Sequence, residues 1–227
     1  EAFNPCGKFN AAASAKGHRH NQDYARHLTH MGEPWEMYDA AQMAELTGTG
    51  YYQSGLFTPG TVMLQPAMYI RGIARGLASH HALIFENSPV TALEHNGDWS
   101  ATTPSGQVTA PRVILAVNGH ANSFGLYPQQ LAHVFTYASM TRALTAQEVA
   151  TLGGARNWGA TPADPLGTTV RRISGMGGDR IIIRNRATFD PSMQVSERRI
   201  RAVSRSHDAS FSARFPALRH VSMQYRW

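Results

Sequence analysis

Hydrophobic residues recur at helical spacing in three segments of the chain, at residues 18–31, 66–78 and 196–214. Pro66 suits the first turn of the second segment, and Pro216 stands just beyond the third. The apolar positions are Tyr24, Leu28 and Met31 in the first segment, Ala67, Ile70, Ile73, Ala74 and Leu77 in the second, and Ile200, Val203, His207 and Phe211 in the third. This spacing predicts three amphipathic helices, and His207 is interpreted as a hydrogen-bonded histidine of the core.

Capping patterns predict two shorter helices. Asp39 is followed three residues later by Gln42, and Thr145 is followed at the same spacing by Glu148. Each pair forms a capping box, in which two side chains satisfy backbone N–H groups at a helix start. Gly48 and Gly153 are placed to end these helices. The Gly- and Pro-rich segments 48–61 and 157–168 are predicted to be loops.

Strands are predicted where apolar residues alternate or run together. Asn96-Gly97 indicates a tight hairpin turn, and Gly175–Gly178 indicates a second one. The all-apolar run RVILAV at 112–117 predicts a buried strand of a sheet that is covered on both faces. The predicted strands are 82–86, 90–95, 98–103, 107–110, 112–117, 133–144, 168–174 and 179–189.

These elements change in character near residue 120. The part before residue 120 has an α/β pattern with an antiparallel meander, and the part after it has an α+β pattern. The length of 227 residues, of which 42% are hydrophobic, is enough for a sizeable core. We therefore predict two parts, residues 1–120 and 121–227.

The second part is strongly basic. Residues 155–227 contain 13 Arg against five acidic residues, a net charge of +8, whereas residues 1–154 have a net charge of −2. Arginine binds carboxylates and phosphates through two parallel hydrogen bonds. The excess is compatible with nucleic acid, an anionic substrate or an acidic neighbouring domain. The aromatic residues do not interleave with these arginines, which weakens the case for RNA binding.

Several other function classes are excluded or disfavoured by composition. No apolar run approaches the length of a membrane span. A single cysteine, Cys6, excludes a disulfide scaffold and fits a reducing compartment, so a cytoplasmic location is predicted. The pairs His18/His20 and His27/His30 lack further ligands at metal-site spacing, and no metal site is expected.

The two ends of the sequence suggest a part of a longer protein. The chain begins without Met and without a signal-peptide pattern. It ends on Tyr225-Arg226-Trp227, a pattern typical of the middle of a strand. We therefore expect a longer parent protein with segments before and after this chain, which we call the parent.

Read in order, four segments resemble the D-amino-acid-oxidase-like family of FAD-dependent oxidoreductases. They are LQPAMYIRGIARG at 64–76, IFENSPVTAL at 84–93, DWSATTPSGQVTAPRVILAVNGHA at 98–121 and SMTRAL at 139–144. The later segments GTTVRRI, DRIIIRNR, RFPAL and QYRW are similar to the gamma-glutamylputrescine-oxidase-like branch. The resemblance runs from about residue 30 to Trp227.

The resemblance implies the central portion of such an enzyme. Residues 1–120 would form a partial, Rossmann-like FAD-binding domain with an inserted meander, and residues 121–227 an antiparallel-sheet substrate domain. Both are expected to be incomplete, because the GxGxxG motif that binds the pyrophosphate is absent, as is the glycine-rich segment that follows in the family. FAD is expected in the parent, and this chain alone is expected neither to retain FAD nor to be active.

The resemblance also implies cofactor-binding residues. Val90 would meet the adenine through its backbone, and Ala116, Val117 and Asn118 would lie against the cofactor. Ligands bind at the carboxyl ends of strands in open α/β sheets, where small residues permit close approach. Ordinary core packing is the other interpretation of these four residues.

On the substrate side, the resemblance implies an antiparallel sheet whose inward side chains line the substrate cavity. Arg171, Arg184 and Arg186 lie on the hairpin that is similar to that sheet, and we expect Arg184 and Arg186 to share an apolar face with Ile181 and Ile183. An arginine on an apolar face is costly unless it is paired, so a substrate carboxylate is an attractive partner. Salt bridges to Asp179, Asp190 or a neighbouring domain are the alternative. No catalytic residue is identified.

The function implied by the resemblance is oxidation of the C–N bond of an amine or amino acid to an imine, with dioxygen or another molecule as electron acceptor. The expected partners are that small-molecule substrate and the missing N- and C-terminal segments. The alternative is a non-catalytic interaction module or a nucleic-acid-binding module that uses the Arg-rich half.

Overall fold

A computed structural model describes residues 3–78, 80 and 82–227 as two compact units. The first unit runs to Pro66 and continues with Phe135–Thr188 and Gln194–Trp227. The second unit comprises Ala67–Val134 and Phe189–Met193. The division predicted at residue 120 was between a cofactor-binding domain and a substrate-binding domain. Because that division is defined by function, it stays a prediction.

The helices and strands alternate irregularly along the chain. The helices are α1 (Ala15–Met31), α2 (Ala40–Thr47), α3 (Pro66–Ala78), α4 (Ala146–Leu152) and α5 (Glu197–Arg214). The strands are β1 (Phe3–Asn4), β2 (Lys8–Ala12), β3 (Glu36–Tyr38), β4 (Ser54–Thr58), β5 (Met63–Leu64), β6 (Ala92–Asn96), β7 (Asp98–Thr103), β8 (Gly106–Ala110), β9 (Val134–Thr141), β10 (Trp158–Pro162), β11 (Thr169–Ile173), β12 (Arg180–Phe189) and β13 (Met223–Arg226).

The first unit is built on a mixed sheet of eight strands in the order β13-β9-β12-β11-β10-β2-β4-β3. Strand β10 runs parallel to β2, with Ala160 opposite Phe9. The pairs β10–β11, β11–β12, β2–β4 and β3–β4 are antiparallel. The parallel pair joins two antiparallel halves that are distant in sequence, so the sheet forms only when the chain has folded back on itself.

One face of this sheet carries the core. Alternating side chains of β10, β11 and β12 are buried there, and α2, α4 and α5 contribute Met43, Leu152 and Phe211 to the same cluster. The buried strand residues are Trp158, Ala160, Val170, Ile181 and Ile183. Burying each large apolar side chain contributes about 1.5–3 kcal/mol, so this face dominates the stability of the unit.

The other face is partly covered by α1. The Asn21 side chain donates to the Asn10 carbonyl oxygen of β2 at 2.8 Å. Ala25 and Leu28 pack with Leu56 of β4 in a second, smaller cluster. Helix α1 begins earlier than the predicted residue 18, because the Ser14 hydroxyl accepts a hydrogen bond from the Gly17 N–H at 3.0 Å.

The local predictions for helices are confirmed. Both capping boxes, at Asp39 and at Thr145, are formed, and Gly48 and Gly153 follow the ends of α2 and α4. Helix α5 ends at Arg214, before Pro216, and it buries Val203, His207 and Phe211. These signals are local because a cap is completed by residues three or four positions apart.

The two predicted loops are wrong, because each contains a strand. Segment 48–61 contains β4, which pairs with β2 on one side and β3 on the other. Segment 157–168 contains β10, which pairs with β11 and β2. Gly55 in β4 is required by close packing, since a Cβ atom there would lie 2.3 Å from the Met43 sulfur. Partners distant in sequence therefore fix these strands.

The second unit contains α3 and a three-stranded meander, β6-β7-β8. The hairpin at Asn96-Gly97 is confirmed, and Gly97 adopts the left-handed φ of +86° that the turn requires. The strands predicted at 82–86 and 112–117 are not formed, and among the described residues no strand pairs with either segment. The expected burial of 112–117 is also wrong, since Ile114 is 93% exposed.

In the described part of the chain, every helix falls short of the length and apolar character that crossing a bilayer requires.

Candidate functional site

Five residues share one face of the sheet of the first unit, and we call this patch the open face; Arg171 and Arg184 are exposed, and the other three are half-buried. The five residues are Gly159 on β10, Thr169 and Arg171 on β11, and Ile182 and Arg184 on β12. The register sets Arg171 between Gly159 and Ile182 and sets Arg184 opposite Thr169. Arg171 and Arg184 are therefore diagonal neighbours on one face, within reach of a single small ligand.

Both arginines of the open face are exposed and unpaired. The side chains of Arg171 and Arg184 make no hydrogen bond or ion pair with any residue that the structure describes. Asp179, one of the salt-bridge partners considered, is taken by Arg156 through two hydrogen bonds. Those hydrogen bonds hold the pKa of the Asp179 carboxyl below its usual value. The two guanidinium groups are free to bind an anion.

The expectation that Arg184 and Arg186 share a face with Ile181 and Ile183 is wrong. Strand alternation buries Ile181 and Ile183 on the face opposite Arg184. Arg186 has a left-handed backbone, with φ of +67°, which breaks the alternation. Its Nε donates to the Ser206 hydroxyl of α5 at 3.3 Å. Arg186 thus lies against the helical side of the sheet, and only Arg171 and Arg184 are brought together.

Gly159 leaves open space beside the Arg171 side chain on the open face. A Cβ atom at residue 159 would lie 4.0 Å from Arg171 Cγ and 3.9 Å from the Met63 sulfur of β5. A larger side chain would occupy the space next to the arginine stem. The absence of a side chain therefore leaves room for a ligand beside the guanidinium.

The four residues expected at the cofactor all lie in the second unit. Val90 is 40% exposed and its backbone makes no hydrogen bond among the described residues, which fits a backbone contact to adenine. Ala116 is exposed, Val117 is half-buried, and Asn118 begins a short 3-10 helix with φ of +49°. None of these four residues is buried, so the interpretation as ordinary core does not hold in this structure, and a role at the cofactor stays a prediction.

Two buried polar residues of the first unit have other roles. His207 is almost fully buried; its Nδ1 is 2.7 Å from the Ser139 hydroxyl and its Nε2 is 3.2 Å from the Asn185 carbonyl oxygen. Burial lowers the pKa of His207, and its two contacts make it the hydrogen-bonded core histidine that the sequence predicted. Arg172 was missed, although its position next to exposed Arg171 places it on the core face by alternation. It is fully buried, and its Nη1 donates to the Gly153 carbonyl oxygen.

The histidines near the N-terminus bind other protein groups. His18 Nδ1 lies 2.8 Å from the Ser54 hydroxyl, and His20 Nδ1 lies 3.2 Å from the Ala163 carbonyl oxygen. The described residues contain no group of three metal-ligating side chains.

Sequence comparison relates this chain to oxidoreductases. Residues 2–227 match the sequence profile described as DAO, FAD dependent oxidoreductase. A probable oxidoreductase OrdL of Rhizobium meliloti is 28% identical over 130 residues, which cover 55% of this chain and 30% of that protein. A probable oxidoreductase OrdL of Haemophilus influenzae is 29% identical over 99 residues, 43% of this chain and 22% of that protein.

Solved structures share the fold. Glycine oxidase from Geobacillus kaustophilus superimposes with a TM-score of 0.75 at 16% identity, over 100% of this chain and 58% of that one. L-proline dehydrogenase from P. horikoshii superimposes with a TM-score of 0.71 at 15% identity, over 100% of this chain and 60% of that one. The chain thus spans about 60% of these enzymes. Because the family profile matches nearly the whole chain and the fold is that of glycine oxidase, the chain belongs to the DAO family of FAD-dependent oxidoreductases.

Proposed function

We propose that this chain is the central part of a flavoenzyme that oxidises the C–N bond of an amine or amino acid to an imine, with dioxygen as the electron acceptor. The observation that carries the proposal is the pair Arg171 and Arg184, two exposed guanidinium groups without partners in the described part of a chain of this family. The names of similar structures, glycine oxidase and L-proline dehydrogenase, support an amino-acid substrate.

The two arginines would anchor the substrate carboxylate. A guanidinium binds a carboxylate through two parallel hydrogen bonds, which fixes orientation as well as position. Paired strands fix the backbone positions of both arginines, so their guanidinium groups start from a defined spacing. When bound, FAD would supply the redox chemistry, which removes the equivalent of a hydride from the substrate carbon and passes its two electrons to dioxygen. The substrate nitrogen loses its proton to solvent, and the protein need not supply a base if the amine binds in its neutral form.

The second unit would contribute part of the cofactor site. Val90 would contact the adenine through its backbone, which has no partner among the described residues, and Ala116, Val117 and Asn118 would lie against the cofactor. The chain lacks the GxGxxG motif that binds the pyrophosphate. We therefore propose that the parent holds FAD and that this chain alone does not retain it.

The gamma-glutamylputrescine-oxidase-like branch gives the finer form of the proposal. The segments GTTVRRI and DRIIIRNR that suggest this branch form β11 and β12, which carry both arginines. Gamma-glutamylputrescine offers a carboxylate to these arginines and an amine to be oxidised. It is therefore the first substrate to test, beside a panel of amino acids.

The decisive experiment is a visible absorption spectrum of the purified parent, recorded anaerobically before and after each substrate is added. We expect a flavin spectrum that bleaches with one of them and recovers with air. A correctly folded parent without flavin would contradict the proposal. A flavin that bleaches only with substrates lacking a carboxylate would contradict the anchor.

A matched pair of variants tests the anchor itself. Arg184→Gln removes one guanidinium from the open face, and we expect KM for the carboxylate substrate to rise at least about tenfold, because a charge-assisted hydrogen bond is lost. Arg219→Gln removes the same charge from an exposed position after α5 and should leave KM unchanged. Equal effects of the two variants would show that general charge, rather than the open face, attracts the substrate.

The nucleic-acid alternative draws no specific support. Arg156, Arg201 and Arg226 of the basic half lie in ion pairs with acidic residues of the same unit, and Arg172 and Arg214 are buried. Five of the 13 arginines are therefore poorly placed to contact phosphates.

A further inference from the structure

A pocket of about 440 Å³ lies within the first unit, beside α5 and the loop 163–168 that joins β10 to β11. Its lining extends from Tyr52, just before β4, to Arg214 at the end of α5. The volume falls within the range of small-molecule sites in proteins. Arg171 and Arg184, which we propose as the substrate anchor, do not line it. The pocket is therefore a site distinct from the open face.

The loop 163–168 is fixed at both ends. The Asp164 carboxylate accepts a hydrogen bond from the Ser14 hydroxyl, at the start of α1, at 3.1 Å. The Thr168 hydroxyl lies 2.9 Å from the Ser210 hydroxyl of α5. Between these two contacts, the Gly167 N–H donates to the Asp164 carbonyl oxygen at 3.2 Å and closes a turn. The loop thus holds Asp164 at a defined position in the pocket lining.

Asp164 offers this pocket an accessible acceptor. Its Oδ2 binds Ser14, whereas its Oδ1 accepts no hydrogen bond from any residue that the structure describes. His20 Nδ1 is 3.8 Å from Oδ1 and lies closer, at 3.2 Å, to the Ala163 carbonyl oxygen. The Asp164 side chain is 36% exposed. Its carboxylate is therefore open to a donor from a ligand, and an ammonium group suits its charge.

Arg186 offers the same pocket accessible donors of opposite charge. The residue is exposed, and its Nε donates to the Ser206 hydroxyl at 3.3 Å. Its two terminal nitrogens donate to no acceptor in the described part of the chain. Arg214 also lines the pocket, but it is buried, bonded to the Ser210 carbonyl oxygen and stacked on the Tyr51 ring. Arg186 is therefore the guanidinium that a ligand can contact.

The two accessible charges of the pocket do not neutralise each other. Asp164 and Arg186 both line it, yet they form no ion pair, so their charged atoms are more than 4 Å apart. A ligand with one charge would satisfy only one of them and would be repelled by the other. A ligand with a cation at one end and an anion at the other satisfies both.

We propose that this pocket binds a small zwitterion of the ω-amino acid type, with its ammonium group at Asp164 and its carboxylate at Arg186. An ω-amino acid carries its charges at opposite ends of an aliphatic chain, so it can span two separated partners. Tyr51, Pro162 and Leu166 line the pocket and offer apolar surface to that chain. The site does not depend on the flavin chemistry and gives the protein a second small-molecule site.

The test is anaerobic calorimetric titration of the purified parent with 5-aminopentanoate at constant ionic strength. We expect saturable binding. Pentanoate and pentylamine each lack one of the two charges and should bind about fivefold more weakly or less, the value of one charge interaction that solvent partly screens. Absence of 5-aminopentanoate binding, or equal binding of pentanoate, would overturn the proposal.

Two variants with matched controls locate the site. Arg186→Gln and Asp164→Asn should each weaken 5-aminopentanoate binding about fivefold, because each removes one of the two charges. Arg219→Gln and Asp23→Asn make the same charge changes at exposed positions outside the pocket and should leave the affinity unchanged. Equal effects of the variants and their controls would contradict the site.

Arg184→Gln separates this pocket from the open face, and it should leave 5-aminopentanoate affinity unchanged. Binding that is lost in Arg184→Gln and retained in Arg186→Gln would place the probe on the open face and overturn the proposal. If Asp164→Asn fails to fold because Asp164 binds the start of α1, Arg186→Gln decides, since that side chain is exposed. A parent without flavin that still binds 5-aminopentanoate through Asp164 and Arg186 would overturn only the proposed oxidation.

Discussion

At the scale of single residues, the Asp179 carboxylate interacts with two arginines of the first unit, Arg156 and Arg172. Asp179 is buried, with its side chain 8% exposed, and it accepts two hydrogen bonds from Arg156. Its charge also favours the charged form of Arg172, whose pKa burial lowers. The Asp179 backbone carbonyl accepts from the Leu144 N–H at 2.8 Å, so the same residue ties together two segments of the first unit.

Asp179→Asn should therefore destabilise the first unit by about 1–2 kcal/mol, a modest value because Arg156 is largely exposed to solvent. The pKa of Asp179 is lower in the folded state than in the unfolded state. Its contribution is present above the unfolded pKa of about 4 and is lost as the pH falls through the folded pKa. Urea unfolding between pH 3 and 7 should show this loss in the wild type and not in the variant.

The exposed pair Asp23 and Arg26 provides the control for that measurement. Both side chains are more than 60% exposed, and such pairs contribute about 0–1 kcal/mol. Asp23→Asn should have little effect at any pH. A larger effect from Asp23→Asn than from Asp179→Asn would contradict the role assigned to burial.

At the scale of elements, helix ends are the best defined features of this chain. Glu148 completes the capping box of α4, and its carboxylate also binds Arg142 at 2.6 and 2.8 Å and His220 at 2.9 Å. The Arg142 guanidinium is the main reason that the pKa of Glu148 lies far below its usual value. A local cap thus becomes the point where α4 is fixed to the C-terminal part of the unit.

Two glycines that follow helices share a left-handed backbone conformation but differ in how closely other atoms pack around them. Gly32 after α1 and Gly48 after α2 have φ of +71° and +75°. A Cβ atom at residue 32 would meet nothing within 4 Å, whereas one at residue 48 would lie 2.2 Å from the Leu152 carbonyl oxygen. Gly32→Ala should cost about 1 kcal/mol.

Gly48→Ala should cost at least about 3 kcal/mol, since the ends of α2 and α4 would have to separate. Thermal and urea unfolding of the two variants, with the wild type, measures the difference. Equal losses of stability would mean that the contact between residue 48 and Leu152 is not as close as the structure has it.

At the scale of the whole molecule, apolar surface is concentrated in the second unit. Leu83 is 82% exposed, Phe85 71% and Ile114 93%. Large contiguous apolar surface on a folded protein marks an interaction site or a cause of aggregation. In the parent that we propose, segment 112–117 would gain the strand partners that its apolar sequence predicts.

Hydrogen exchange tests this expectation directly. In the proposed parent, the amides of 112–117 should be protected, because each would be hydrogen-bonded within a sheet. In this chain alone they should exchange freely, and the chain should bind an apolar dye such as ANS. Free exchange of these amides in the parent would contradict the assignment of 112–117 to a covered sheet.

The sequence predicts a feature of the site when the residues that form it are close together in the chain, and it misses a feature when those residues are far apart. The observed register of β11 and β12 makes Arg171 and Arg184 neighbours, a pairing that the sequence analysis did not predict. Strand alternation fails at Arg186, where a left-handed backbone turns the side chain toward α5. The pocket around Tyr52 and Arg214 joins residues more than 160 positions apart, and no local pattern indicates such a contact.

The sequence by itself determined the presence of the helices, the capping boxes of α2 and α4 and the tight hairpins, because each depends on residues a few positions apart. It also identified the family, through an ordered set of segments. Only the tertiary structure decided that Gly-containing segments 54–58 and 158–162 are strands of a central sheet and that the apolar segment 112–117 is not a strand here. The physical reason is that a strand's hydrogen bonds go to another strand, so its formation depends on which partner the folded chain brings beside it.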